Sequence, residues 1–201
     1  MLNRLSLVLT IVLLFTAISP TYCQEASTSK TLELSFEKFD QDMKGGWRLL
    51  SNDGKYLQAA RLIERYLQGR NDLTDFQRQI LYFHAGQMFA MGDRPKMAIS
   101  QFEKSRKAKD DFMKWNDYVN GTIAFLKGDM KLLKECRERV ANNGMPLKMN
   151  KNLVVLDKLI AGSKSTYREI FEKLIEEIKK SEGSGGDSKK NTEPKSKSRG
   201  L

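Results

Sequence analysis

Between Leu32 and Lys180 the chain carries only two prolines, Pro95 and Pro146, and no run of alternating β-branched residues. Apolar residues instead recur at three- and four-residue spacing, and glycine, Asn-Gly or Gly-Asp interrupts them every few turns. Such a pattern points to helices rather than to a sheet core. It predicts helices over about 33–52, 56–69, 73–91, 95–107, 112–127, 130–142, 150–161 and 165–180. The breaks at 52–54, 69–72, 92–93, 109–110, 128–129, 142–144 and 162–163 supply glycine or asparagine stops and aspartate or serine restarts. Pro95 falls at a helix start, where a missing N–H costs least.

Short helices with tight turns raise the question of internal repeats. Three segments align: GKYLQAARLIERYL from Gly54, GDRPKMAISQFEKS from Gly92 and GDMKLLKECRERV from Gly128. Another helical run precedes each one, and placing Ala59, Ala98 and Leu133 in register gives offsets of 39 and 35 residues. In the second unit Tyr82, Gly86 and Phe89 are followed by Ala98, Phe102 and Ser105, an aromatic–small–aromatic, small–aromatic–small series. On these residues the chain resembles the tetratricopeptide repeat (TPR) family, whose helix–turn–helix unit repeats about every 34 residues. The resemblance covers roughly Phe39–Val140. The first unit departs at Trp47, near a site where the family has a small residue. The third has Leu133 where the family has alanine, and the last helical pair hardly matches. What the resemblance implies is an all-α fold: an α-solenoid of about four stacked hairpins, a TPR-like superhelix. A plain helical bundle is the rival architecture.

The ends read differently. Residues 1–23 place Arg4 ahead of an apolar run from Leu5 to Ile18 and then small and polar residues, the layout of a secretory signal peptide. The apolar run is short for a membrane anchor, and bulky Tyr22 argues against lipid attachment at Cys23. The expected organisation is a signal peptide over 1–23, a short linker over 24–31, the helical domain over 32–180 and a disordered basic tail over 181–201. The expected location is periplasmic or secreted, with no stable membrane span after cleavage. Cleavage would leave Cys136 as the sole cysteine, so packing rather than a disulfide must stabilise the fold.

Catalytic chemistry has few candidates. His84 is the single histidine, set between Phe83 and Ala85 in a helical run, and reads as a half-buried helix residue rather than a base or metal ligand. Cys136 reads as a buried thiol without a partner base. No glycine-rich phosphate loop is present: Gly45-Gly46 sits within a predicted helix, and Ser184-Gly185-Gly186 in the tail. The acidic residues fall into helix-face pairs with lysine. Asn120-Gly121-Thr122 matches a glycosylation pattern but lies mid-helix. The reading is therefore a non-enzyme without cofactor or metal.

The resemblance further implies that the first helix of each hairpin lines a concave face able to take a peptide. Carried over by register, the peptide-binding positions are Lys44 and Arg48, then Ile80, Phe83 and Gln87, then Trp115, Tyr118 and Thr122. The expected partner is a protein or peptide, with the aromatic residues giving most of the contact energy. Charge suggests an alternative. Residues 94–151 hold 14 lysines and arginines against 7 acids, within a chain of net charge +10. That surplus, with the tail, would favour an anionic envelope, polymer or membrane surface; nucleic acid is not expected of an exported chain.

Overall fold

The computed structural model describes residues 29–109, 113–146 and 149–183, with side chains through residue 180. These residues form helices and no strand. The expected signal peptide, most of the linker and the tail beyond Gly183 lie outside them. Residues 29–32 form a helical turn rather than a linker. A π-helical turn, Glu37–Gln41, leads to α1 (Arg48–Asn52), α2 (Tyr56–Gly69), α3 (Asp75–Met91) and α4 (Pro95–Lys104). Then come α5 (Trp115–Lys127), α6 (Met130–Ala141), α7 (Lys151–Ala161) and α8 (Tyr167–Gly183).

Local chemistry sets the boundaries. Thr74 and Gln77 form a reciprocal capping box at the start of α3, and Thr166 with Glu169 does the same for α8. Asp129 and Asn150 accept backbone N–H bonds at the starts of α6 and α7. Pro95 opens α4, and Gly128, with φ +74°, closes α5.

The predicted single helix over 33–52 is the main correction. Gly46 adopts φ +53°, and a Cβ there would stand 1.9 Å from the Phe39 carbonyl oxygen. The chain therefore turns sharply at Gly45–Gly46 and folds back over the π-helical turn. Phe39 stacks on Tyr66 of α2 with ring centroids 3.7 Å apart, and the Tyr66 hydroxyl donates to the Leu34 carbonyl at 2.8 Å.

Successive helices pack as hairpins: α2 with α3, α3 with α4, α5 with α6, and α6 with α7. Small residues make the close approaches. A Cβ on Gly86 would stand 2.7 Å from the Phe102 ring, so α3 and α4 nest there, with Ala98 fully buried. A Cβ on Gly121 would lie 2.8 Å from Leu156 and 3.2 Å from the Cys136 Cβ, which seats α5 against both α6 and α7. One core runs from Phe39 through Phe89, Phe102, Val119 and Leu133 to Leu159. After α7 the chain turns back: α8 packs on α3 as well as on α7, and its Glu172 carboxylate accepts from the Tyr56 hydroxyl.

Candidate functional site

Three half-buried residues of α3, Ile80, His84 and Gln87, follow i, i+4, i+7 spacing and so share one helix face. The turn around Gly46 brings Trp47 and the π-helical turn against His84 on that face. Asp40, on the π-helical turn, has no exposed surface. Its Oδ1 accepts from Trp47 Nε1 at 2.9 Å and lies 2.7 Å from His84 Nδ1, while Oδ2 accepts from Gln41 Nε2 at 2.6 Å. Burial alone would raise the Asp40 carboxyl. The bonds from His84 and Trp47, and the charges of His84 and Arg48, outweigh it and hold the group below its ordinary range. An ionised Asp40 only accepts, so the hydrogen bond between the two is donated by His84 Nδ1–H.

Arg48 completes the cluster. Its guanidinium lies 4.2 Å from the centroid of the Trp47 ring, and its Nε donates to Met43 Sδ. Burial lowers its pKa, against the pull of Asp40 and Asp42. Nη1 is buried and has no hydrogen-bond partner. A guanidinium over an indole, with one donor unanswered, next to an imidazole braced by a carboxylate, is suited to an anionic group. The Asp40–His84 pair also has the form of an oriented general base. Among the described residues the one thiol, Cys136, is buried in α6 beside Arg139, and burial raises its pKa.

The predicted binding residues divide into two groups. Lys44 is exposed in the turn before α1, with its backbone N–H bonded to Asp42. Arg48, Ile80 and Gln87 are half-buried around His84. Phe83, Tyr118 and Thr122 do not face a groove, and the expectation of an open aromatic floor is corrected here. The Phe83 ring packs 4.9 Å from Phe102, 5.0 Å from Trp115 and 5.2 Å from Tyr118, between the second and third hairpins. Thr122 donates to the Tyr118 carbonyl in the interior. Trp115, half-buried at the edge of this cluster, donates to the Ser105 carbonyl. These aromatics were needed to join hairpins, which leaves them no free face.

Sequence reasoning missed Asp40 and Trp47, and set His84 aside. No local signal marked them: Asp40 stands among Glu37, Lys38, Gln41 and Asp42, so in the sequence it reads as one more exposed helix-face acid. The basic stretch is partly neutralised. Arg137 pairs with Asp157 at 2.7 Å and Arg139 with Asp117 at 2.6 Å, whereas Lys127, Lys131 and Lys134 are exposed with no ion pair among the described residues. No described helix is long and apolar enough to cross a membrane. Neither a family model, nor a curated protein, nor a solved structure matches this chain.

Proposed function

We propose that this chain is an exported, non-catalytic interaction module whose hairpins stack in the manner of TPR-like repeats, and that it holds a peptide through an acidic side chain or terminal carboxylate at Arg48 and His84. The observation that carries this reading is the buried, unanswered Nη1 of Arg48 beside the Asp40-braced imidazole. Ile80 continues the same face, giving one apolar contact beyond the anion, whereas Gln87 lies against the Tyr167 hydroxyl of α8. The small residues at Gly86, Ala98 and Gly121 support the repeat-like stacking. Trp47 lies within the site and serves as the reporter. Titrating the protein with oligoglutamate peptides should change Trp47 emission, and Arg48→Met should weaken binding at least tenfold without altering the far-UV spectrum. Equal affinity in the two proteins would refute the site. Sequencing the N-terminus of the secreted form tests export.

A second reading has its own support in the exposed lysines 127, 131 and 134. If the basic helices serve an anionic surface, the protein should sediment with phosphatidylglycerol vesicles at low salt and release as ionic strength rises. Neutralising those three lysines would then matter more than Arg48→Met.

A further inference from the structure

Between α1 and α2 runs an open groove of about 800 Å³. Leu49, Leu57 and Leu62 make its apolar side, and Leu49 and Leu57 keep 55% and 37% of their surface exposed. Leu49 takes no part in the core that joins the hairpins. Lys55, Arg61 and Arg65 also line the groove, and no acidic residue among the described ones does. Leu57, Arg61 and Arg65 follow i, i+4, i+8 spacing, so one face of α2 carries an apolar edge and both guanidiniums. These cations are loosely engaged. Lys55 pairs with Asp53 at 3.0 Å and Arg61 with Glu64 at 2.8 Å, surface contacts of the kind that contribute little. Arg65 is exposed and has no ion pair among the described residues.

The charge calls for an anion, and the shape of the groove selects which one. The α1 wall is five residues long, about 7.5 Å of helix. A docked partner helix anchors through i, i+3, i+4 and i+7 over about 10 Å, more than that wall supplies. An extended peptide needs main-chain partners, and α2 spends its own N–H and C=O groups inside the helix. A hydrocarbon chain needs neither, and it leaves no polar group unanswered against the leucines. We propose that the α1–α2 groove binds a free long-chain fatty acid, with the alkyl chain over Leu49, Leu57 and Leu62 and the carboxylate at Arg61 and Arg65. This adds a ligand of another class to the peptide reading and does not depend on the Arg48–His84 cluster.

Calorimetric titration of the full chain with dodecanoate, kept below its micelle concentration, should show saturable binding. Hexanoate keeps the head and halves the chain, whereas dodecyltrimethylammonium keeps the chain and reverses the charge. Each should bind at least tenfold more weakly. Leu49→Asn and Arg65→Gln should each weaken dodecanoate at least fivefold with the far-UV spectrum unchanged, because both side chains are exposed and outside the core. Parity of hexanoate with dodecanoate would reduce the groove to a basic surface, and parity of the cationic amphiphile would reduce it to an apolar one. Either result overturns the proposal, as does a dodecanoate affinity that ignores both substitutions. A helical glutamate–leucine peptide that binds the parent, fails on Leu49→Asn and is not displaced by dodecanoate would overturn it too, since the groove would then dock a protein.

Discussion

The second and third hairpins and the segment over 33–52 are built by opposite means. In the hairpins, Gly86 and Gly121 strip away side chains so that Phe102 and Leu156 close the gap, and apolar periodicity does the rest. In the N-terminal segment a glycine turn folds the chain over a buried carboxylate that ties Trp47, His84 and Gln41 together. One region is held by shape, the other by satisfied polarity. Shape tolerates graded change, because a lost methylene is a small cavity. A buried polar network fails abruptly, since each unpaired member keeps its full desolvation cost.

Removing the carboxylate should have the largest effect. Asp40→Ala leaves the Trp47 N–H and the His84 imidazole without their acceptor, and breaking such a buried charged cluster costs about 3–5 kcal/mol. Chemical denaturation at neutral pH measures it. Acid supplies the same perturbation reversibly. Because the folded-state pKa of Asp40 lies below its ordinary value, its contribution is fully present above about pH 4 and is lost as pH falls through the depressed folded-state value. The chain has two tryptophans, one in each region: Trp47 in the polar cluster and Trp115 between the hairpins. Trp47 emission, followed in Trp115→Phe, should shift at a higher pH than Trp115 emission in Trp47→Phe. Coincident transitions would show that the two regions unfold as one unit and would erase the distinction.

Nesting offers a smaller and more controlled change. Gly86→Ala places a methyl 2.7 Å from the Phe102 ring and should destabilise by about 1–2 kcal/mol, the overpacking cost less the gain in helix propensity. Gly69→Ala, at the end of α2 with nothing within 4 Å, should be neutral or slightly stabilising. Thermal melts of the pair suffice. If both substitutions behave alike, close approach at Gly86 is not what holds α3 to α4.

The same division explains what the sequence disclosed. Periodicity and glycine stops gave α2 to α7 to within about three residues, because local capping and glycine or asparagine stops set their ends. The break at Gly46 escaped because its cause, the Phe39 carbonyl directly above it, is a contact between residues that the turn itself brings together. The Asp40–His84 pair spans 44 residues, and no local pattern encodes a partner at that separation. Phe83 and Tyr118 lie on the expected helices but in other surroundings, packed between hairpins. Periodicity places a residue on a helix face, but it does not say whether another hairpin covers that face. Arg48 kept its partial exposure in the irregular segment, and Gln87 lies beside Tyr167 of α8.

The smallest expected effect lies at the seam between the two regions. Arg70, at the end of α2, donates through Nη1 to the Leu34 carbonyl at 2.7 Å, while Asp72 grips the same guanidinium through Nε and Nη2 at 2.7 and 2.6 Å. The Arg70 bonds and charge bring the Asp72 carboxyl down to about 2. A depressed carboxylate contributes above its unfolded pKa of about 4 and loses that contribution as pH falls from 4 towards 2. Asp72 is fully exposed, so solvent screens the pair and Asp72→Asn should shift the midpoint only slightly at neutral pH. Its value is directional. If Asp72 orients the arginine that ties Leu34 to α2, the substitution should increase hydrogen exchange over residues 33–39 and leave α5 and α6 unchanged. Equal protection in variant and parent would mean that the Leu34 carbonyl is held by the Tyr66 hydroxyl alone, and that stacking on Tyr66 joins the irregular segment to the hairpins.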